Sequence, residues 1–385
     1  MTSLTHDVAV VGGGPAGASA ALTLARVGLD VVLVEASRYQ RIRLGETIPP
    51  SARQVLTRLG LGANWTATEV TSSFGTSSAW GGPELASSSF LFSPYGNGWH
   101  VDRRRFDLRL AAAAAAAGVR LVQGVRVTSC TLAPRDTWRL TLDQEGGAST
   151  MMVGAVVDAT GRRARLARAV GARRQVVDRL VGVAVQYRGA PTDSGFTLVE
   201  AVRDGWWYSA PVPPDRMMVM LMTDADLCRS HRYADPAIWA ESLARTPHTS
   251  RRVAGCERLW APRVASAASH RLERAGAPGR WLAVGDAAMA VDPLSGSGIV
   301  RALVSGEVAG LATAHWLVGR REPAHQYERW LDDCFREYQT QRRQCYGLET
   351  RWRAGPFWQR RRSAADWPRL PGVRTVHTRP RLGGY

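Results

Sequence analysis

The chain contains no lysine: every one of its 50 basic residues is arginine, within 385 positions that carry a formal net charge of +17. Uniform replacement of one basic residue by the other reads as compositional bias, which weakens any step from net charge to a nucleic-acid partner. Residues 351–385 hold nine arginines against one acid, Asp366, so nearly half of the positive excess sits in the tail. Two readings of that charge stay open, a solvated arginine-rich surface or a patch that attracts an acidic protein surface. No nucleic-acid motif accompanies it, so nucleic acid is the disfavoured partner.

Cysteine is scarce too. Cys130, Cys228, Cys256, Cys334 and Cys345 are scattered, odd in number and lack CxxC spacing. Neither a disulfide framework nor a zinc site is expected, no metal is assigned, and a reducing cytoplasm is the expected compartment. No apolar run reaches spanning length, so no membrane span is expected; the first glycine-rich segment lies so near Met1 that no signal peptide is expected either. What is present is 45% hydrophobic content, enough for one large or two ordinary domains with a sizeable core.

Two segments far apart in the chain carry the chemistry. The first is Val8-Ala9-Val10-Val11-Gly12-Gly13-Gly14-Pro15-Ala16-Gly17. An apolar strand ends at Gly12, which allows a tight turn; Gly14 lets backbone approach a pyrophosphate, and Gly17 lets the next helix lie close to the strand. That helix, about Ala16 to Val27, points its positive end at the phosphates, and a second strand ends at Glu35, placed to accept from ribose hydroxyls. The second segment runs Trp281-Leu282-Ala283-Val284-Gly285-Asp286-Ala287-Ala288 and on through Asp292-Pro293-Leu294-Ser295-Gly296-Ser297-Gly298-Ile299. Gly285 and Asp286 suit a ribityl hydroxyl. Pro293 to Gly298 makes a bare turn, with Pro293 and Gly296 the candidate catalytic backbone. Gly298 and Ile299 open a helix whose N-terminus would face the N1 and C2 carbonyl region of an isoalloxazine, where reduced flavin gathers negative charge. Two such segments with an acid between them point to FAD.

Strand and helix signals alternate around these segments. Helices are expected at about Pro49–Leu59, Arg103–Ala117, Ile299–Val318 and Ala324–Cys345, with a buried strand at Val153–Asp158. Apolar or alternating runs at Leu180–Tyr187, Phe196–Ala201, Trp206–Ala210 and Met217–Met222 suggest an antiparallel sheet, and residues 66–98 read as loops and short strands.

With Gly45-Glu46-Thr47-Ile48-Pro49-Pro50, Asp102-Arg103 followed by Phe106-Asp107, and Gly205-Trp206-Trp207-Tyr208-Ser209-Ala210-Pro211, the chain resembles the glutathione-reductase-type flavoprotein monooxygenases. Within them it is most similar to the branch of tryptophan halogenases and of flavoproteins that mature tryptophylquinone cofactors. The resemblance covers about residues 5–362, including Tyr346, Glu349, Arg351-Trp352 and Pro356-Phe357-Trp358. It implies an α/β fold: a Rossmann-like FAD-binding domain of the GR2 type (1–65, 100–175 and 265–320), interleaved with an antiparallel substrate sheet (66–99 and 176–264). A helical segment (321–362) and an arginine-rich tail (363–385), with disorder one option for the tail, complete the chain.

The resemblance also implies roles. Arg43, Arg103, Val127, Asp158 and Gly161 join Gly12, Gly14, Ala16, Gly17, Glu35, Gly285, Asp286, Gly298 and Ile299 as cofactor contacts. Glu46 lies in a loop that passes near the isoalloxazine in this family and is the candidate for orienting peroxide or substrate; a surface glutamate before a helix is the alternative. Trp206, Trp207 and Tyr208 are candidates for the substrate wall, with an aromatic core strand the competing reading at even weight. His100 is a candidate substrate contact, and His100 and His270 are the only histidines placed to act as a base, although each reads more readily as a core histidine.

Halogenases of this branch resemble the chain at Glu46 but use a downstream lysine, where this chain has Gly75 or Thr76 beside Phe74. Their catalytic glutamate falls on Ser295, and their Trp-x-Trp-x-Ile-Pro signature departs at Tyr208 and Ala210. Hydroxylation is therefore the expectation: FAD, reduced by NAD(P)H or a partner flavin reductase, would form a C4a-hydroperoxide with dioxygen as cosubstrate and pass its distal OH to an electron-rich ring. The expected substrate is a tryptophan in a peptide or protein, hydroxylated during quinone-cofactor maturation, with a free aromatic metabolite as the runner-up. Reduction of isolated double bonds, as in geranylgeranyl reductases, and a binding module that uses FAD structurally are the remaining alternatives.

Overall fold

Valine-rich strands buried on both faces build the first layer. The computed structural model describes residues 5–189 and 195–362; the tail 363–385 lies outside the described residues. His6–Val11 pairs in parallel with Val31–Glu35 on one side and with the second half of Gly147–Asp158 on the other. Arg120–Gln123 extends the sheet beyond Val31–Glu35, and Trp281–Ala283 extends it beyond Gly147–Asp158. The register Val11↔Asp158 and Val11↔Val34 brings the carboxyl ends of three strands level. Ligands of open α/β sheets bind outside that edge. The first half of Gly147–Asp158 turns away to pair antiparallel with Thr137–Gln144, a hairpin layer with Arg126–Ala133.

Helix Pro15–Arg26 packs against helix Gly298–Leu317 through small residues. A Cβ at Gly306 would lie 2.1 Å from the Ala16 carbonyl oxygen, and Ser19 Oγ donates to the Leu303 carbonyl at 2.7 Å. This close approach brings together two helices whose N-termini open on the same edge of the sheet.

The second layer is a largely antiparallel sheet. Leu180–Arg188, Arg216–Asp224, Gly205–Val212 and Phe196–Val202 follow in spatial order; Gly75–Ala79 then pairs in parallel with Phe196–Val202, and Ala86–Ser89 forms the edge. Period-two alternation gives this sheet two buried faces. Trp206, Met218, Met220 and Met222 meet Tyr346, Phe357 and Trp358 on one face. Val183, Val185, Trp207, Leu221 and Trp239 fill the other.

The segmentation departs from expectation most clearly at several helices. Helix Ala52–Arg58 starts later than Pro49, because a residue that precedes a proline is pushed out of the helical region and Pro49 precedes Pro50. Helix Glu322–Leu348 is longer at both ends than expected. Helices Ala225–Ser230 and Pro236–Ala244 carried no strong periodicity, yet Asp235 caps the second by accepting from the Ala237 and Ile238 amides.

Candidate active site

A cleft of about 900 Å³ opens at the carboxyl edge of the parallel sheet, and Gly12, Gly14, Glu35, Arg43, Val127 and Gly161 are among its lining residues. Gly12 sits at φ +111°, where a Cβ would fall 2.2 Å from the Ala159 carbonyl oxygen, and a Cβ on Gly17 would fall 1.8 Å from that of Gly12. Gly14 differs: nothing lies within 4 Å of where its Cβ would be. The helix that starts after it has no side-chain cap and no acid in its first turn, so its positive end faces the cleft uncompensated.

Glu35 is held from several sides. Its Oε2 accepts from the Gly13 amide at 2.7 Å, and its Oε1 accepts from Ser37 Oγ at 2.6 Å and Arg43 at 2.9 Å. Arg43 also reaches the fully buried Asp107 at 2.7 Å, which Arg103 grips from the other side at 3.0 Å. A carboxylate has roughly four lone-pair positions, so a ribose hydroxyl must share Glu35 with protein donors. Tyr39 is a site residue without a sequence signal: its hydroxyl donates to the Gly13 carbonyl at 2.9 Å and Arg43 lies over its ring.

At the other end of the edge, the Gly285 amide donates to Ser305 Oγ at 2.8 Å, and Asp286 pairs with Arg162 at 3.2 Å. Asp292 caps the turn Pro293–Ser295 by accepting from the Leu294 amide at 3.0 Å. Gly296 takes the left-handed conformation at φ +61°, and Cβ atoms at Gly296 or Gly298 would meet nothing within 4 Å. Helix Gly298–Leu317, with Ile299 buried in its first turn, also begins without a side-chain cap or an early acid. Ala16 packs beneath, its Cβ 2.7 Å from where a Cβ on Gly285 would be.

One expected contact is corrected here. Asp158 uses its carboxylate within the protein, accepting from the Thr160 amide and hydroxyl at 3.0 and 2.6 Å and from the Ala167 amide at 3.1 Å. Burial raises its pKa. It therefore shapes the turn beside the cleft, and its side chain is not offered to a ligand.

Glu46 is buried with one oxygen unanswered. Its Oε1 accepts from the Gly45 amide at 3.0 Å, while Oε2 has no hydrogen-bond partner. Burial pushes its carboxyl up to about 7, against the pull of its own and the Gly45 amides, Arg103 and Tyr208. The Tyr208 hydroxyl meets Thr47 Oγ1 at 3.0 Å, and Thr47 also meets Thr197 Oγ1 at 2.9 Å and His100 Nδ1 at 3.3 Å. His100 Nε2 faces the Gly195 carbonyl at 3.2 Å, which assigns the proton to Nε2 and leaves Nδ1 to accept from Thr47. Burial lowers the His100 pKa to about 4, and that of His270 likewise to about 4. His100 is thus a neutral, engaged ring beside Tyr208. Arg252 was not anticipated: it donates to Ser209 and to the Phe196 carbonyl, and burial draws its pKa down to about 10.

The aromatic triplet splits between the two faces. Trp206 Nε1 donates to the Tyr346 hydroxyl at 3.0 Å, on the Tyr208 side. Trp207, on the opposite face as strand alternation requires, is corrected from substrate wall to core: its ring lies 4.8 Å from that of Trp239.

Comparison with known proteins agrees with this geometry. The FAD binding domain family matches residues 5–319. The putative FAD-dependent oxidoreductase LodB of Marinomonas mediterranea is 29% identical over 368 residues, 93% of this chain and 97% of LodB. Among solved structures, the flavin-dependent halogenase CmlS superposes with a TM-score of 0.82 at 26% identity, covering 95% of this chain and 69% of CmlS. The peptidyl tryptophan dihydroxylase QhpG, essential for tryptophylquinone cofactor biogenesis, superposes with a TM-score of 0.71 at 26% identity, covering 97% of this chain and 81% of QhpG.

Proposed function

The chain belongs to the FAD binding domain family and is an FAD-dependent oxidoreductase; from that premise we propose that it hydroxylates the indole of a tryptophan held in a peptide or protein. The residues present suit FAD. Gly14, Gly296 and Gly298 leave open the space a Cβ would fill, and two uncapped helix ends face where a pyrophosphate and a flavin carbonyl would lie. Arg43 and Glu35 would hold the ribose end, and the turn Pro293–Ser295 the ring end. Bound FAD supplies the electron pair that activates dioxygen. One oxygen atom then enters the ring and the other leaves as water, with two electrons from NAD(P)H or a partner reductase and two protons from solvent.

The protein's own residues set the conditions. Trp206, Met218 and Met220 form a buried apolar face that excludes water. Glu46, with a carboxyl poised near neutrality, can hold or release a proton at Oε2. Burial and the neighbouring Glu46 keep the Tyr208 hydroxyl well above its ordinary range, so it stays a donor. Indole is electron-rich and needs no prior deprotonation, in keeping with a site whose histidine is neutral and engaged.

The observation that carries hydroxylation over halogenation is the complete lack of lysine, joined by Ser295 at the place of the halogenases' glutamate. The halogenase relatives, CmlS and the tryptophan 2-halogenase of Chondromyces crocatus among them, make halogenation the second reading. A reducing cytoplasm is the proposed setting, supported by five cysteines that are all free. No helix among the described residues is long and apolar enough to cross a membrane.

The test is a competition. FAD-loaded protein, a flavin reductase with NADH, air, and chloride or bromide are incubated with a tryptophan peptide and, separately, with free tryptophan. Mass gains of one or two oxygen atoms on the peptide support the proposal; a halogen on either substrate overturns it.

A further inference from the structure

Helix Glu322–Leu348 presents Tyr338, Arg342 and Tyr346 at four-residue intervals, hence along one face, and all three converge on Asp292. The Tyr338 hydroxyl accepts from the Asp292 amide at 3.1 Å, Arg342 Nε donates to Asp292 Oδ2 at 3.3 Å, and Tyr346 donates to the same oxygen at 2.7 Å. The Tyr346 hydroxyl also accepts from Trp206 Nε1 at 3.0 Å. The indole N–H can only donate, so the Tyr346 oxygen accepts from Trp206 and its own proton goes to Asp292 Oδ2. One buried hydroxyl therefore joins the C-terminal helix, the aromatic sheet face and the residue that caps the turn Pro293–Ser295.

We infer that Tyr346 is a positioning residue whose hydroxyl locks the buried Trp206 face of the sheet to the Asp292 turn, so that cofactor-facing backbone and sheet are set as one unit. The inference rests on the proposed reading that this turn meets the flavin ring. Its energetic logic follows from burial. Without the hydroxyl, Trp206 Nε1 becomes a buried donor with no acceptor, and Asp292 loses its shortest side-chain hydrogen bond. The turn then has fewer constraints in front of the uncapped helix at Gly298. Phenylalanine at this position would preserve the ring contacts with Trp80, Phe357 and Trp358, at centroid distances of 5.7, 6.1 and 5.9 Å.

The test is a double-mutant cycle on the full chain with Tyr346→Phe and Trp206→Phe. FAD affinity of the apoprotein is read by quenching of flavin fluorescence, with thermal unfolding recorded alongside. Tyr346→Phe is expected to weaken FAD binding about tenfold and Trp206→Phe a few-fold, and the double variant to match Tyr346→Phe alone. Wild-type FAD affinity in Tyr346→Phe, or losses that add in the double variant, would overturn the inference, even if unfolding temperatures fall. Should Tyr346→Phe not fold, Trp206→Phe decides: unchanged FAD affinity rejects the coupling. A wild type that binds FAD but oxygenates no tryptophan peptide sinks the proposed function and leaves this cycle interpretable.

Discussion

The two ends of the segment from Glu35 to Glu46 solve opposite problems. At the Glu35 end, charges are matched in advance: Glu35, Arg43, Asp107 and Arg103 form one continuous ion-pair chain with both acids buried. At the Glu46 end, three residues beyond Arg43, a carboxylate is buried with one oxygen unpartnered and its proton affinity raised. Arg103 spans both, donating to Asp107 and to the Leu44 carbonyl. A charge-matched, satisfied end suits binding, while an unsatisfied buried carboxyl suits chemistry, because perturbed carboxyls gather where protons are handled.

The largest blow to this contrast falls on the binding end. Gly17→Val would drive side-chain atoms into the Gly12 carbonyl, which a Cβ alone already meets at 1.8 Å. The expected result is loss of soluble, yellow protein, a cost of more than about 3 kcal/mol. Yellow protein at wild-type yield would show that the turn is not tightly built.

Glu46→Gln addresses the chemical end. Glu46 titrates near 4.5 in the unfolded chain and at about 7 in the fold, so the native state holds the proton more tightly. Stability from this group is complete below about pH 4.5 and is lost as pH rises through about 7. Removing the charge should raise apoprotein stability near pH 8 by about 3 kcal/mol, measured by urea unfolding, and leave stability at pH 4 little changed. The pH dependence of turnover between about 6 and 8 should flatten in the same variant. A pH-independent stability difference would reassign Glu46 to packing.

Arg43→Ala should weaken FAD binding by about 1–3 kcal/mol, since Glu35 loses the one charged partner it has among the described residues while Asp107 retains Arg103. The smallest effect separates the sheet faces. Trp207→Phe should lower the unfolding temperature by a few degrees with KM unchanged, because its ring serves the Trp239 core.

Much of the binding end was legible because its requirements are steric and local: Gly12 and Gly17 sit at fixed offsets from a strand end where a Cβ would strike backbone oxygen, and Gly14 sits between them in open space. The parallel strands and the principal helices were readable for the same reason, through local apolar periodicity. The site's long-range partners were not. Tyr39, Arg252 and the Tyr346–Asp292–Trp206 junction arise from residues up to 140 positions apart in a single hydrogen bond, and no spacing rule encodes them. Trp207 shows the converse: period two announces that neighbours point apart, but which face looks toward the cofactor depends on how the C-terminal helix packs. Asp158 reads as a ligand contact through the family resemblance of Asp158-Ala159-Thr160-Gly161; only the fold reveals that Thr160 and Ala167 have taken its oxygens.

The most direct test of the central claim uses heavy-isotope dioxygen. FAD-loaded protein with reductase, NADH and a tryptophan-containing peptide should yield peptide carrying one or two heavy oxygen atoms on the indole, located by tandem mass spectrometry. Peptide recovered without label while FAD is reduced and reoxidised, or peptide labelled from heavy water instead, would contradict the account.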